Sequence, residues 1–312
     1  MLQRPFGTTN LQVSAVGLGC NNFGIRLDRG ATRAVVHAAL DAGITLFDTA
    51  DIYGNRGGSE TLLGEALGAR RKEVVLVTKF GLPMDDSGRR EGGSRRYVME
   101  AVEASLRRLE TEWIDLYYLH RPDPKTPIEK TLGALDELVR AGKVRHIGCS
   151  NFSAAQIDQA QAVAQRKGFT RFAAAEDQYS LLAREIERDR LPAIERHKLA
   201  LLPYFPLASG MLTGKYRRGA PLPPGTRLSN PRYSDRVLND ANLRVVARLE
   251  EFCRARGRTL LQLAFAWLLA KPVVASVIAG ASTPEQVMQN SGAIGWELGP
   301  DEIAEVDRIT RR

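Results

Sequence analysis

The chain is poor in cysteine: only Cys20, Cys149 and Cys253 occur, far apart and without a C-x-x-C pair. That excludes a disulfide framework and fits free thiols in a reducing compartment, so a cytoplasmic location is expected. No H-x-x-x-H, Cys/His cluster or carboxylate ladder is present, and no metal is expected. Glycine (28) and proline (15) are scattered, which excludes collagen-like and low-complexity chains. No apolar run approaches the roughly 18 residues of a membrane span, and Met1–Gly7 lacks the apolar stretch of a secretory signal. Neither sign of charge dominates, with 44 Lys+Arg against 36 Asp+Glu. The nearest basic block, Arg89-Arg90 and Arg95-Arg96, is broken by Glu91 and glycines, so nucleic acid is not an expected partner. A nucleophile elbow, G-x-S-x-G, and a Walker loop are also missing.

What the chain does have is one rhythm along its whole length. Eight short apolar runs read as strands: Val13–Leu18, Ile44–Phe47, Val74–Val77, Ile114–Leu119, Val144–Ile147, Phe172–Ala175, Leu199–Leu202 and Val273–Ile278. Between them lie segments with apolar residues at helical spacing: Thr32–Ala42, Glu60–Leu67, Tyr97–Leu109, Ile128–Arg140 and Ala154–Lys167. This alternation predicts βα units on a parallel sheet. A doubly wound sheet would carry G-x-G-x-x-G after its first strand, but here Gly17-Leu18-Gly19 is followed by Asn22 where the third glycine should be. Eight units in a chain of this size predict an α/β fold, a (β/α)8 TIM barrel, as one domain over residues 1–312. Two helical patterns, Asn242–Arg256 and Leu260–Leu269, precede the eighth strand, giving an additional helix there, and Asp301–Ile309 reads as a C-terminal helix. The proline-rich stretch Arg217–Arg236 is expected to be a long functional loop.

Active sites of such barrels form at the carboxyl ends of the strands. Asp48 ends the second run, with Tyr53 five residues on; Lys79 ends the third and His120 the fourth. The later runs end on Ser150 and Asn151, Gln178, Tyr204 and Gly280. Each alone has a bland reading: Lys79 as an ion pair, Asp48 as a cap, Tyr53 as a packing aromatic. His37, His146 and His197 fall inside predicted elements and read as structural. Asp, Tyr, Lys and His together on three consecutive strand ends point to chemistry.

The motifs resemble those of the aldo-keto reductases over essentially the whole chain. They are Val16-Gly17-Leu18-Gly19, Leu46-Phe47-Asp48-Thr49-Ala50-Asp51-Ile52-Tyr53-Gly54, Thr78-Lys79-Phe80 and Leu119-His120-Arg121-Pro122-Asp123, then Ile147-Gly148-Cys149-Ser150-Asn151-Phe152 and Gln178-Tyr179-Ser180-Leu181-Leu182. Tyr204-Phe205-Pro206-Leu207-Ala208-Ser209-Gly210 and Gly280-Ala281-Ser282-Thr283-Pro284-Glu285-Gln286 complete the series. The resemblance implies a barrel that binds NAD(P)H and transfers hydride to an aldehyde or ketone, with Asp48, Tyr53, Lys79 and His120 as the catalytic tetrad. It would place Ser150, Asn151 and Gln178 against the nicotinamide carboxamide and Tyr204 on the ring, beside Gly19, Cys20 and Asn21. Leu207, Ser209, Gly210 and Lys215 would meet the pyrophosphate, and Gly280, Ser282, Gln286 and Asn290 the adenosine end.

The residue types suit that chemistry. A carbonyl receiving hydride needs a proton, and a tyrosine with a pKa of about 10 is a reluctant donor unless a neighbouring ammonium lowers it. Asp48 would orient Lys79, and His120 would hydrogen-bond the carbonyl oxygen. Phe205 replaces a serine common in the family. The positions of Gly280 and Gln286, where some branches carry Lys and Arg for the adenosine 2′-phosphate, offer no charge. NADPH (NADP+) is the expected cofactor, with NADH possible and a preference below about 100-fold, roughly 2.7 kcal/mol. Arg121 either lines the substrate pocket, favouring a polar or anionic carbonyl compound, or pairs with Asp123. Phe23, Phe80 and Phe152 would give an apolar wall, and the 217–236 loop would close over the ligands. The expected protein is a carbonyl reductase acting on a small-molecule carbonyl substrate, a monomer or weak homo-oligomer. Its alternatives are a sugar or alcohol dehydrogenase running oxidatively with NAD(P)+, and a redox-sensing regulatory barrel subunit.

Overall fold

The computed structural model describes residues 1–216 and 220–311, apart from the Arg232 side chain. A short antiparallel hairpin, β1 (Gln3–Pro5) with β2 (Gln12–Ser14), precedes a ring of eight parallel strands. The ring runs β3 (Val16–Gly19), β4 (Leu46–Asp48), β5 (Val75–Phe80), β6 (Ile114–Leu119), β7 (Val144–Ser150), β8 (Phe172–Gln178), β9 (Ala200–Tyr204), with β10 (Val277–Gly280) beside β3. Between β9 and β10 the ring closes through Leu201, whose N–H donates to the Val273 carbonyl at 2.8 Å while its carbonyl accepts from Ala275 N at 3.0 Å. The expected eighth run, Val273–Ile278, therefore has two uses: its first half bridges to β9 and only its end pairs with β3.

Helices α1 (Arg29–Asp41), α2 (Tyr53–Leu67), α3 (Arg95–Arg108), α4 (Ile128–Arg140), α5 (Ala154–Lys167) and α6 (Arg190–Arg196) alternate with the strands. After β9 come α7 (Pro231–Val237), α8 (Asp240–Arg254) and α9 (Leu260–Leu269); α10 (Pro284–Ser291) and α11 (Pro300–Thr310) follow β10. Local chemistry sets the bounds. In α5, Ser153 and Gln156 form a reciprocal capping box, and Gly168 (φ 67°) closes the helix in the left-handed region. The 217–236 stretch is less irregular than expected, because Pro231 opens α7; residues 217–219 lie outside the described residues.

Strand periodicity divides the core in two. Residues Leu46, Val75 and Val77, Leu116 and Tyr118, Ala174, and Ala200 and Leu202 share one parity on their strands and fill the barrel interior, with Phe6 and Val13 of the hairpin plugging its base. Phe47, Leu76, Tyr117 and Leu119 have the other parity and pack outward against the helices. Continuing the inner parity by one step reaches Asp48, Lys79, His120, Glu176 and Tyr204. The tetrad's strand residues are thus the top layer of the interior column.

Candidate active site

Lys79 is fully buried, and its Nζ stands among acceptors: Asp48 Oδ1 at 2.5 Å, the Thr49 carbonyl at 3.0 Å and Glu176 Oε1 at 3.3 Å. Burial works against the ammonium, but Asp48 and Glu176 outweigh it and hold Lys79 above its ordinary value. Lys79 Nζ lies 5.4 Å from the centroid of the Tyr53 ring, and that ring meets His120 edge to face at 5.8 Å. The four residues expected to form the tetrad therefore converge.

The electrostatics differ from expectation at Tyr53. Lys79 pulls the phenol down, but burial pushes it up more strongly, and the neighbouring carboxyls add to the rise, so Tyr53 stands above its ordinary value. Tyr53 is a neutral hydroxyl here. Burial, and then the cations of Lys79 and Arg121, push His120 down to about 3, leaving a neutral ring. Its Nδ1 is buried and has no partner among the described residues.

Tyr53 is aimed by an unusual turn. Gly54, Asn55, Arg56 and Gly57 have φ of 68°, 59°, 67° and 121°, a left-handed segment between Tyr53 and the regular part of α2. A Cβ on Gly54 would collide with the Ser59 backbone nitrogen and the Phe23 carbonyl, so glycine is required there. Downstream, buried Glu60 accepts from Thr78 Oγ1 at 2.6 Å and from Arg108 Nε at 2.7 Å, tying α2 to the strand that carries Lys79.

A second chain of bonds crosses the mouth. Tyr204 OH donates to Asn151 Oδ1 at 2.7 Å; Asn151 Nδ2 donates to Ser150 Oγ at 2.9 Å and the His120 carbonyl at 3.2 Å; Ser150 Oγ donates to the Glu176 carbonyl at 2.9 Å. Ser150, Asn151 and Tyr204 are thereby brought together beside the tetrad, whereas Gln178 is exposed at the tip of β8. Gly19 is buried, and Cys20 turns its fully buried thiol toward the Leu18 carbonyl at 3.5 Å. Leu207, Ser209 and Gly210 sit in a turn where Ser209 (φ 58°) and Gly210 (φ 100°) are left-handed, and Lys215 is exposed beside the Tyr216 ring. Gly280 is exposed, the Ser282 N–H donates to Gln286 Oε1 at 2.8 Å, and Asn290 is buried in α10. Phe23 and Phe80 have no exposure, and Phe80 stacks on Tyr117 at 4.7 Å, so these two are packed into the core, whereas Phe152, 3% exposed, lines a cavity together with Asn151 and Ser153. Arg121 is exposed, and no ion pair joins it to Asp123, whose carboxylate accepts from the backbone of Gly93 and Lys125, each at 2.8 Å.

Two residues escaped the sequence reading. Glu176 lies two positions before Gln178 on the same face of β8, so counting back by two would have found it. Arg227, a loop residue without a periodic signal, donates to Asn22 Oδ1 at 2.8 Å and Asn21 Oδ1 at 3.2 Å. Its guanidinium lies 5.8 Å from the Phe205 ring centroid and 5.3 Å from that of Tyr233. Its Nη2 is 4.0 Å from where a Cβ on Gly280 would stand, and no carboxylate pairs with it among the described residues. Phe205, rather than offering a hydroxyl, helps seat this cation.

The barrel, its polar upper layer and the turn after β9 define a member of an oxidoreductase family, and comparison with known sequences agrees. The family profile described as "Aldo/keto reductase family" matches residues 15–311, and the chain belongs to that family. Among curated relatives, a probable voltage-gated potassium channel subunit beta of Arabidopsis thaliana is 36% identical over 304 residues, covering 94% of this chain and 91% of the relative. An L-glyceraldehyde 3-phosphate reductase of Escherichia coli K12 is 33% identical over 319 residues, covering 99% and 92%. Among the described residues no helix is long and apolar enough to cross a membrane, and no three His, Cys, Asp or Glu side chains converge as a metal site would need.

Proposed function

We propose that this protein reduces an aldehyde or ketone with NADPH, Tyr53 giving the proton to the carbonyl oxygen. The observation that carries this reading is the convergence of Tyr53, Lys79, Asp48 and His120 at the mouth of the barrel. The reading is also supported by the name of the reductase relative. The dinucleotide suits the residues present. The Ser150–Asn151–Tyr204 chain offers amide and hydroxyl groups for the carboxamide, with a tyrosine ring held by its own hydrogen bond. The left-handed turn around Ser209 and Gly210 would face the pyrophosphate, with Lys215 nearby. Gly280 at the end of β10, Ser282 and Gln286 at the start of α10, and Asn290 one turn further along it would meet the adenosine end. Arg227 supplies the cation that Gly280 and Gln286 lack, beside Asn21 and Asn22, and this favours the 2′-phosphate over a bare hydroxyl.

The bound cofactor would supply the hydride; the chain supplies geometry and the proton. Neutral His120 donates a hydrogen bond that fixes the carbonyl, and neutral Tyr53 holds the proton ready. Lys79 meets the negative charge left on Tyr53 after transfer, and Asp48 holds Lys79 in place. Arg121, unpaired with Asp123 and exposed at the same rim, would favour an anionic carbonyl compound.

The redox-sensing subunit is the second reading, favoured by the relatives named as channel beta subunits. The exposed large apolar side chains among the described residues are scattered (Met1, Leu2, Ile25 and Met288), and the complete tetrad supports turnover instead. Purified protein should consume NADPH in the presence of 4-nitrobenzaldehyde and leave it unchanged without aldehyde. Tight NADPH binding with no consumption across neutral and anionic aldehydes would favour the sensor.

A further inference from the structure

The tetrad uses one carboxylate, Asp48, yet the same ammonium faces a second. Glu176 is fully buried on β8, its Oε1 is 3.3 Å from Lys79 Nζ, and its Oε2 has no partner among the described residues. One cation between two buried carboxyls can neutralise only one of them. Asp48, at 2.5 Å, is the closer; burial raises its carboxyl, but Lys79 and a hydrogen bond from Glu176 favour its ionised form, and Glu176 Oε2 has no partner among the described residues. An unpartnered carboxylate oxygen in such a place is costly, and a proton on that carboxyl relieves the cost.

We propose that Glu176 is a titrating switch on the tetrad: a positioning residue, acting through Lys79, that carries a proton while Asp48 is ionised and, on losing it, changes the charge that Tyr53 faces. The inference rests on the proposed role of Tyr53 as proton donor. Its surroundings favour the neutral form. Burial is the largest influence, followed by the charge of Asp48 on β4; Lys79 on β5 opposes both, and the carboxyl is pushed up to about 8. The other ionisable groups facing it are Tyr53 at the start of α2, Tyr118 on β6, Tyr204 on β9 and Asp177 on its own strand. Asp177 is answered by Arg190 at 2.7 Å, the three tyrosines are neutral, and among the described residues Lys79 is the cation that pairs with Glu176.

The consequence has a direction. With Glu176 protonated, Asp48 and Lys79 cancel and Tyr53 faces a balanced pair. With Glu176 ionised, the cluster carries a net negative charge that raises Tyr53 further and makes it a weaker acid. Carbonyl reduction should then fall as pH rises through about 8. The oxidative direction, which needs tyrosinate as a base, should be held back at the same point.

Two measurements on the full-length protein test this. The first is an NMR titration of protein carrying 13C at its glutamate carboxyl carbons, with Glu176→Gln identifying the Glu176 signal. The second is the pH profile of kcat for aldehyde reduction in wild type and Glu176→Gln. The expected results are a Glu176 midpoint near 8 and a basic limb that moves up by more than one pH unit in the variant. A midpoint in the ordinary carboxylate range overturns the proposal, as does an unmoved limb. Asp48→Asn should lower the Glu176 midpoint, because it removes the charge that keeps the proton on; an unchanged midpoint also overturns it and does not depend on the glutamine variant folding. Absence of turnover with every carbonyl compound would sink the reductase reading instead, while the NMR midpoints would still decide the ionisation of Glu176.

Discussion

Replacing Lys79 with methionine isolates what its charge does, because the side chain is fully buried and methionine keeps most of its volume. The change removes a cation that donates to Asp48 Oδ1 and the Thr49 carbonyl and lies 3.3 Å from Glu176. Removing one partner of a buried pair costs about 3–5 kcal/mol when the other stays charged. Asp48 has an escape, however: it can take up a proton. Relative to its own unfolded chain, the variant's native state would then hold one proton more than the wild-type native state does relative to its own, because the lysine proton is gone from the folded and unfolded variant alike. Where a native state binds extra protons, stability falls as pH rises, here by about 1.4 kcal/mol per pH unit for one proton. The added loss therefore begins where Asp48 loses its proton in the wild-type fold, at a pKa that burial raises above the ordinary aspartate value even beside Lys79, and it grows to about 3–5 kcal/mol some two to four units higher. The unmade bond to Thr49 adds about 1 kcal/mol at every pH. Urea unfolding followed by tryptophan fluorescence should give a deficit larger at pH 7.5 than at pH 5 by more than about 1 kcal/mol. A deficit equal at both pH values would refute the reasoning and make Lys79 a packing residue.

Other consequences are as direct. Arg227→Ala should weaken NADPH binding about 10- to 100-fold, the loss of about 1.5–3 kcal/mol from a charged hydrogen bond, and leave NADH binding nearly unchanged; equal effects on both in fluorescence titrations would remove Arg227 from the 2′-phosphate. Gly54→Ala forces a Cβ into the Ser59 backbone at a positive φ and should cost at least about 2 kcal/mol, read as a lowered urea midpoint together with lost activity. His120 is neutral in the fold, with its pKa depressed to about 3, so its contribution to stability is complete above the unfolded value of about 6.5 and is lost as pH falls toward 3. His120→Gln should flatten the acid side of the stability profile, and an unchanged slope would contradict the burial argument.

Much of this architecture was open to sequence reasoning because its signals are periodic. Ile114–Leu119, Ile128–Arg140, Ala154–Lys167 and Leu260–Leu269 occur with the bounds that their apolar spacing indicates. The β1–β2 hairpin was invisible because β1, Gln3-Arg4-Pro5, has no apolar run, and the run Val13–Leu18 merged the end of β2 with β3. The beginning of α2 was hidden by four left-handed residues, and α6, only seven residues long, contains Pro192. The tetrad was legible because each strand member ends an apolar run. Glu176 was not, since a glutamate near the end of a strand reads as a solvated rim residue until its inner parity is counted. Arg227 reaches the site through tertiary packing alone. The fully buried Phe23 and Phe80 show the limit in the other direction: nearness in sequence to tetrad residues does not set which way a side chain faces.

The most direct test compares wild type with Tyr53→Phe in two assays, NADPH binding by fluorescence and NADPH consumption with 4-nitrobenzaldehyde. The phenol that would give its proton to the carbonyl is removed, while the groups around Ser150, Asn151, Tyr204 and Arg227 remain. The account predicts that the variant binds NADPH with about the wild-type affinity and loses at least about 100-fold in kcat, within the range for a missing general acid. A variant that turns over at close to the wild-type rate would contradict it.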